Sequence, residues 1–86
     1  MMTSENTVQE RPTLGVMLDY LKRVRRCERD EDLARLIGIA PSTLSHYRSG
    51  SRWPGIDNCE RIAWLLGIDA EEVIESVKID RRSRGQ

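Results

Sequence analysis

No phenylalanine occurs among the 86 residues, and there are only one histidine, two cysteines and three prolines. Without phenylalanine the core has to be built mainly from Leu, Ile, Val and Ala, a composition that favours a compact helical bundle. A single histidine and two unclustered cysteines exclude a zinc site within the chain, which needs about four ligands at characteristic spacing. Cys27 and Cys59 stand 32 residues apart with no C-x-x-C pattern, and read as reduced, part-buried residues rather than as a disulfide. No apolar run approaches the length of a membrane span, and no charged-then-apolar leader opens the chain. The expectation is a cytoplasmic protein of one domain, near the size at which a single core is only just adequate. Lysine plus arginine number 14, as do aspartate plus glutamate, so net charge offers no global attraction for a polyanion.

The charges that are present are unevenly placed. "KRVRRCER" (residues 22–29) and "RRSR" (81–84) are basic, whereas Glu28, Asp30, Glu31 and Asp32, and later Asp69, Glu71, Glu72 and Glu75, are acidic. A neutral total can therefore conceal one basic and one acidic face.

Residues 1–12 lack periodicity and read as a flexible N-terminal arm. Apolar residues then recur at helical spacing. The first helix is expected to be capped by Thr13, with Val16 or Met17, Leu18, Leu21 and Val24 inward and Lys22, Arg23, Arg25 and Arg26 outward. A second helix is expected from Asp30 or Glu31 to Ile37, with acidic residues at its positive end and Gly38 after it. The third starts at Pro41, which suits a first helical position, buries Leu44 and Tyr47, and stops at Gly50. After the loop "SGSRWPG", Asp57 with Glu60 reads as a capping pair for the fourth helix, which ends at Gly67. Asp69 with Glu72 opens the fifth in the same way, with Val73, Ile74 and Val77 inward. The folded domain is expected over residues 13–79, with residues 80–86 as a flexible basic tail. The fold class is all-α, with five short helices.

Two helices joined by a tight glycine turn have the form of a helix-turn-helix. Ala34 lies four residues before Gly38, where a small side chain permits close approach of the next helix. Once Leu44 and Tyr47 face inward, Ser42, Thr43, Ser45, His46 and Ser49 are left outward. An exposed helix of short hydrogen-bonding side chains fits a DNA major groove.

"LARLIGIAPSTLSHYRSG" followed by "RWPGIDNCERIAWLLGI" and "DAEEVIE" resembles the Cro/CI (XRE) family of helix-turn-helix DNA-binding proteins, over roughly residues 14 to 78. The resemblance implies a lambda-repressor-like five-helix bundle with helices two and three as the reading unit. It also implies a small phage- or prophage-type repressor, dimeric on double-stranded DNA, nucleoid-associated, with no cofactor, small-molecule ligand or metal. Ser42, Thr43, Ser45 and His46 are the implied base contacts, and Pro41, Arg48, Ser49 and Arg52 the implied phosphate contacts. Two departures stand out. Asp30 occupies a position where the family often has a phosphate-binding Gln, and the reading helix lacks a central Arg, Gln or Asn, the strong bidentate readers of bases.

Several roles stay open on sequence alone. His46 is either a DNA contact or a solvated surface histidine. Lys22–Arg29 is either a solvated face or a backbone-facing one. Trp53 either packs on the core or stacks near DNA. Trp64 is either core or a dimer contact, to which Val73, Ile74 and Val77 are candidate additions. Catalysis by His46 with Ser42 or Ser45 is set aside, because all three share one short helix with no orienting carboxylate. A rival reading is a protein-interaction module on the same scaffold, an antitoxin, anti-repressor or assembly partner, favoured by the neutral charge and the acidic start of helix two.

Overall fold

A computed structural model describes residues 13–85 as five α-helices. These are α1 (Leu14–Val24), α2 (Asp30–Ile37), α3 (Pro41–Ser49), α4 (Ile56–Leu66) and α5 (Ala70–Gly85). The arm expected over residues 1–12 lies outside the described residues. One core runs through all five helices, from Leu14, Leu18 and Leu21 on α1 to Ile62 on α4 and Val73 on α5. α4 packs chiefly on α5 and α2 on α3, while α1 crosses α2, α3 and α5.

The local signals explain most helix ends. Thr13 Oγ1 accepts from the Val16 N–H at 3.2 Å, closing the start of α1. The Arg29 N–H donates to the Asp32 carboxylate at 3.2 Å, so an acid at the third position of α2 satisfies the residue before it. Gly38 ends α2 at φ +90°, and both it and Ile39 donate to the Ala34 carbonyl. The left-handed conformation selects glycine there, since the only atoms a Cβ at Gly38 would crowd belong to the movable guanidinium of Arg61, 2.9 Å away at Nη1.

Four expectations need correction. Val24 and Val16 are exposed, and the buried stripe of α1 is Leu14, Met17, Leu18 and Leu21. α4 begins one residue before Asp57, at Ile56, with Gly55 as the cap and no side-chain capping bond. Asp57 therefore acts through its charge in the first turn. Val73 and Val77, offered as dimer contacts, are buried in the chain's own core, and Ile74 is half-buried against it. The frayed tail expected from residue 80 is instead helix through Gly85. Asp80 Oδ2 accepts the Leu14 N–H at 3.0 Å, placing a carboxylate on the positive end of α1 and tying the last helix to the first.

α1 ends without a glycine. Arg26 takes φ +58°, and Cys27 N–H closes on the Lys22 carbonyl at 2.9 Å. A left-handed L-residue costs roughly 1–2 kcal/mol, part of which glycine would return through the greater freedom of its unfolded chain. Arg26→Gly is thus expected to stabilise the fold by about 0.5–1 kcal/mol, read as a raised urea midpoint with an unchanged slope.

Candidate nucleic-acid interface

The turn Gly38–Ala40 sets α3 across α2, and burial of Leu44 and Tyr47 fixes which side of α3 looks out. Tyr47 is held further by its hydroxyl, which accepts from Asn58 Nδ2 at 2.9 Å and so ties α3 to α4. Pro41, Ser42, Ser45, His46 and Ser49 are exposed and Thr43 half-exposed, as the sequence pattern requires. The side chains of Ser42, Thr43 and Ser45 have no partner among the described residues. Ala40 precedes the helix without a side-chain cap, and Pro41 has no N–H. The N–H groups of Ser42 and Thr43 therefore open the helix at its positive end.

The other end of the face is organised differently. His46 Nδ1 lies 2.7 Å from Ser51 Oγ, and Ser51 Oγ lies 2.9 Å from Ser49 Oγ. Ser49 Oγ in turn donates to the His46 carbonyl at 3.2 Å. Gly50, left-handed at φ +83°, folds the loop back so that Ser51 can reach the ring. Ser51 went unmarked in the sequence, because only a loop that returns on the helix brings it there. Arg52 stays exposed and without a side-chain partner among the described residues.

Arg48 is placed otherwise than as a phosphate ligand. Its Nε and Nη2 donate to the two oxygens of Asp30 at 2.7 and 3.1 Å, and its Nη1 pairs with Asp19 at 2.8 Å. Lys22 Nζ joins the same Asp30 at 3.1 Å. One arginine thus binds α3 to both α1 and α2. Burial works against its charge, but the hydrogen bonds to Asp30 and Asp19 outweigh it and raise the guanidinium pKa further. Asp32 in the same turn receives Arg35 at 3.3 Å, so two of the three acids at the start of α2 are paired within the chain while Glu31 stays exposed. The basic run divides. Lys22 turns inward to Asp30, Arg25 Nη2 donates to the Leu65 carbonyl at 3.4 Å near the end of α4, and Arg23, Arg26 and Arg29 remain exposed.

The hydrogen bond from Arg48 holds the Asp30 carboxyl below its ordinary pKa, against a smaller opposing effect of burial and with Lys22 adding to the depression. A depressed carboxylate stabilises the fold fully above its unfolded pKa of about 3.9, and loses that contribution as pH falls through the lower folded value. Asp30→Asn is expected to lower stability at neutral pH and to flatten the acid limb below about pH 4. Urea midpoints measured across that limb check it, and an unchanged acid limb would contradict the assignment.

Cys27 and Cys59 are free, and burial, aided by the charge of Glu60, pushes the Cys59 thiol up. Trp53 is half-buried against the core, whereas Trp64 is 77% exposed beside Leu36, Asp57, Glu60 and Arg61. Among the described residues no helix is long and apolar enough to cross a membrane, and no group of acidic, histidine and cysteine side chains is arranged to hold a metal.

A family model described as Helix-turn-helix, of XRE type, matches residues 21–73, from the end of α1 to the first turn of α5. The chain belongs to the XRE helix-turn-helix family. The match is to the DNA-binding transcription regulators of Cro/CI type, and it spans the α2–α3 unit whole. No curated protein and no solved structure matches the chain.

Proposed function

We propose that this XRE-family regulator is a sequence-specific repressor of phage or prophage type, acting in the cytoplasm on a pseudo-palindromic operator. The observation that carries the reading is the outer face of α3. It begins at an uncapped helix start, continues through the unpartnered hydroxyls of Ser42, Thr43 and Ser45, and ends at the anchored ring of His46 with Arg52 beyond. Phosphates suit the two ends, and base edges suit the middle. Repression then follows from occupying DNA that polymerase needs. The rival reading as a protein-binding module drew on the acidic start of α2, and the pairing of Asp30 and Asp32 with Arg48, Lys22 and Arg35 weakens it.

Selection from a random duplex pool, followed by salt titration of the enriched site, tests the proposal. An enriched inverted repeat whose affinity falls steeply with salt supports it. Absence of enrichment together with salt-independent behaviour would sink it and move the search to protein partners.

A homodimer completes the proposal, with half-sites about one helical turn (~34 Å) apart. With Val73 and Val77 consumed by the core, the surface that suits a two-fold contact is the exposed side of α4 around Trp64. Glu60 and Arg61 lie beside it, so two copies meeting antiparallel along α4 can pair acid with base across the two-fold axis. Trp64→Ser is expected to weaken self-association at least about tenfold, given the outsized role of buried tryptophan in interfaces. Sedimentation equilibrium reads this directly. A wild-type monomer at high micromolar concentration, with and without operator, would remove the homodimer from the proposal.

A further inference from the structure

The outward charges of α5 fall into two blocks. Glu71 and Glu75 lie in its first half and Lys78 and Arg82 in its second, and spacings of four, three and four residues set all four on one outer stripe. Asp80, an acid among the bases, turns inward and takes the Leu14 N–H. About the point between Ser76 and Val77 the stripe repeats itself with its sign reversed, Glu75 mirroring Lys78 and Glu71 mirroring Arg82. The one link within it is long, Lys78 Nζ to Glu75 Oε2 at 3.8 Å. Glu71 and Arg82 are exposed and have no ion-pair partner among the described residues. The helix dipole favours acids at the first turn and bases at the last. It fades within those turns, so it does not set the signs of Glu75 and Lys78. Nor does it account for Ile79, which is 41% exposed beside the stripe, four residues after Glu75.

We infer that the outer stripe of α5 docks antiparallel on the same stripe of a second copy, and that this contact links repressor dimers bound side by side on one duplex. Under a two-fold axis at the centre of the stripe, Glu71 meets the partner's Arg82 and Glu75 meets the partner's Lys78, each pair occurring twice. The two Ile79 side chains then approach on the same side of the axis and add an apolar element. A parallel arrangement would set acid on acid and base on base. The surface is separate from the one around Trp64, where no lining residue belongs to α5. It is separate from the reading helix too, because α5 packs on α4 and α1 rather than on α3. A subunit with two different self-complementary contacts builds assemblies larger than a dimer.

Exposed ion pairs are individually weak, and one helix stripe buries less than the roughly 1,200 Å² of a stable interface. The contact is therefore weak between free chains. It gains its effect where DNA holds two dimers close together, at an effective concentration of about millimolar. The linking role rests on the proposal that the chain binds DNA, whereas the contact itself does not.

The contact is tested without DNA on the Trp64→Ser chain, which lacks the α4 surface. Translational diffusion measured by NMR up to about 1 mM is expected to show self-association at low salt that vanishes near about 0.5 M salt. Glu71→Lys with Glu75→Lys makes the stripe wholly basic and is expected to weaken that association at least about tenfold. Adding Lys78→Glu and Arg82→Glu reverses every sign and restores the mirror relation. This fourfold variant is expected to associate within about threefold of its parent. A purely helix-stabilising role predicts no such rescue, since the fourfold variant opposes the dipole at both ends. If circular dichroism shows the fourfold variant unfolded, an equimolar mixture of the two double variants carries the same pairing and is read in its place. A parent that stays monomeric throughout, a double variant that associates like its parent, or a rescue that fails overturns the contact. On a duplex carrying two selected operators side by side, the double variant is expected to lose about tenfold of cooperativity and the fourfold variant to regain it. Equal cooperativity in all three overturns the linking role and leaves the repressor proposal standing. Failure of the wild type to bind any duplex selectively overturns that proposal and the linking role with it, and the diffusion measurement then decides the contact alone.

Discussion

Arg48→Met is expected to lower stability by about 2 kcal/mol while leaving the helices in place. Methionine keeps most of the aliphatic stem, so the loss isolates the guanidinium. That group donates twice to Asp30 and once to Asp19, with a side chain only 26% exposed. A single solvated ion pair contributes about 1 kcal/mol or less, but this one is forked, partly desolvated and shared by two carboxylates on different helices. Removing the arginine also strands Asp30 and Asp19, leaving Lys22 as the remaining cation on Asp30. Arg48→Lys is expected to recover less than half of the loss, because an ammonium has no fork to match the two Asp30 oxygens. A double-mutant cycle with Asp30→Asn, read by urea denaturation, is expected to show coupling of about 1 kcal/mol. DNA binding supplies a second check. A residue that holds α3 in place lowers affinity through folding and leaves the salt slope alone, whereas a phosphate ligand would reduce that slope by about one. A reduced slope in Arg48→Met at a temperature where the variant is fully folded would return Arg48 to the phosphate contacts.

The helices were legible in the sequence wherever the determining interaction is local. Thr13, Gly38, Pro41 and Gly50 each act within a turn of themselves, and each sits where its chemistry demands. The outward face of α3 was legible for the same reason, since Leu44 and Tyr47 leave no other orientation. What escaped is non-local. Asp80 extends the last helix by reaching an N–H 66 residues away. Arg48 looks from its neighbours like a surface cation beside a DNA-reading helix, and only the packing of α1 and α2 supplies the carboxylates that claim it. Val73 and Val77 are apolar on a helix of largely polar composition, a pattern that does not distinguish an interior from an interface. Ser51 is one serine among several in a loop, and its role depends on Gly50 turning the chain back onto His46.

Ser45→Ala with His46→Ala is expected to lower affinity for the selected operator by about thirty- to a hundredfold while hardly changing affinity for unrelated duplex. Both side chains are exposed, and neither contributes to the core, so stability is expected to stay within about 0.5 kcal/mol of the wild type. The loss is then one of reading, not of folding. The contrast is Arg52→Ala, which removes a cation near the end of the same face. It is expected to weaken specific and non-specific binding alike and to lower the salt slope by about one. Titrating both variants against selected and scrambled duplexes separates the two roles on one set of axes. With no arginine, glutamine or asparagine among its central exposed residues, α3 has no bidentate reader to dominate the energy. Discrimination has to be assembled from Ser45, the oriented ring of His46 and the deformability of the DNA between half-sites. If the double alanine variant still prefers the operator by more than about a hundredfold, DNA shape rather than these two side chains carries the specificity.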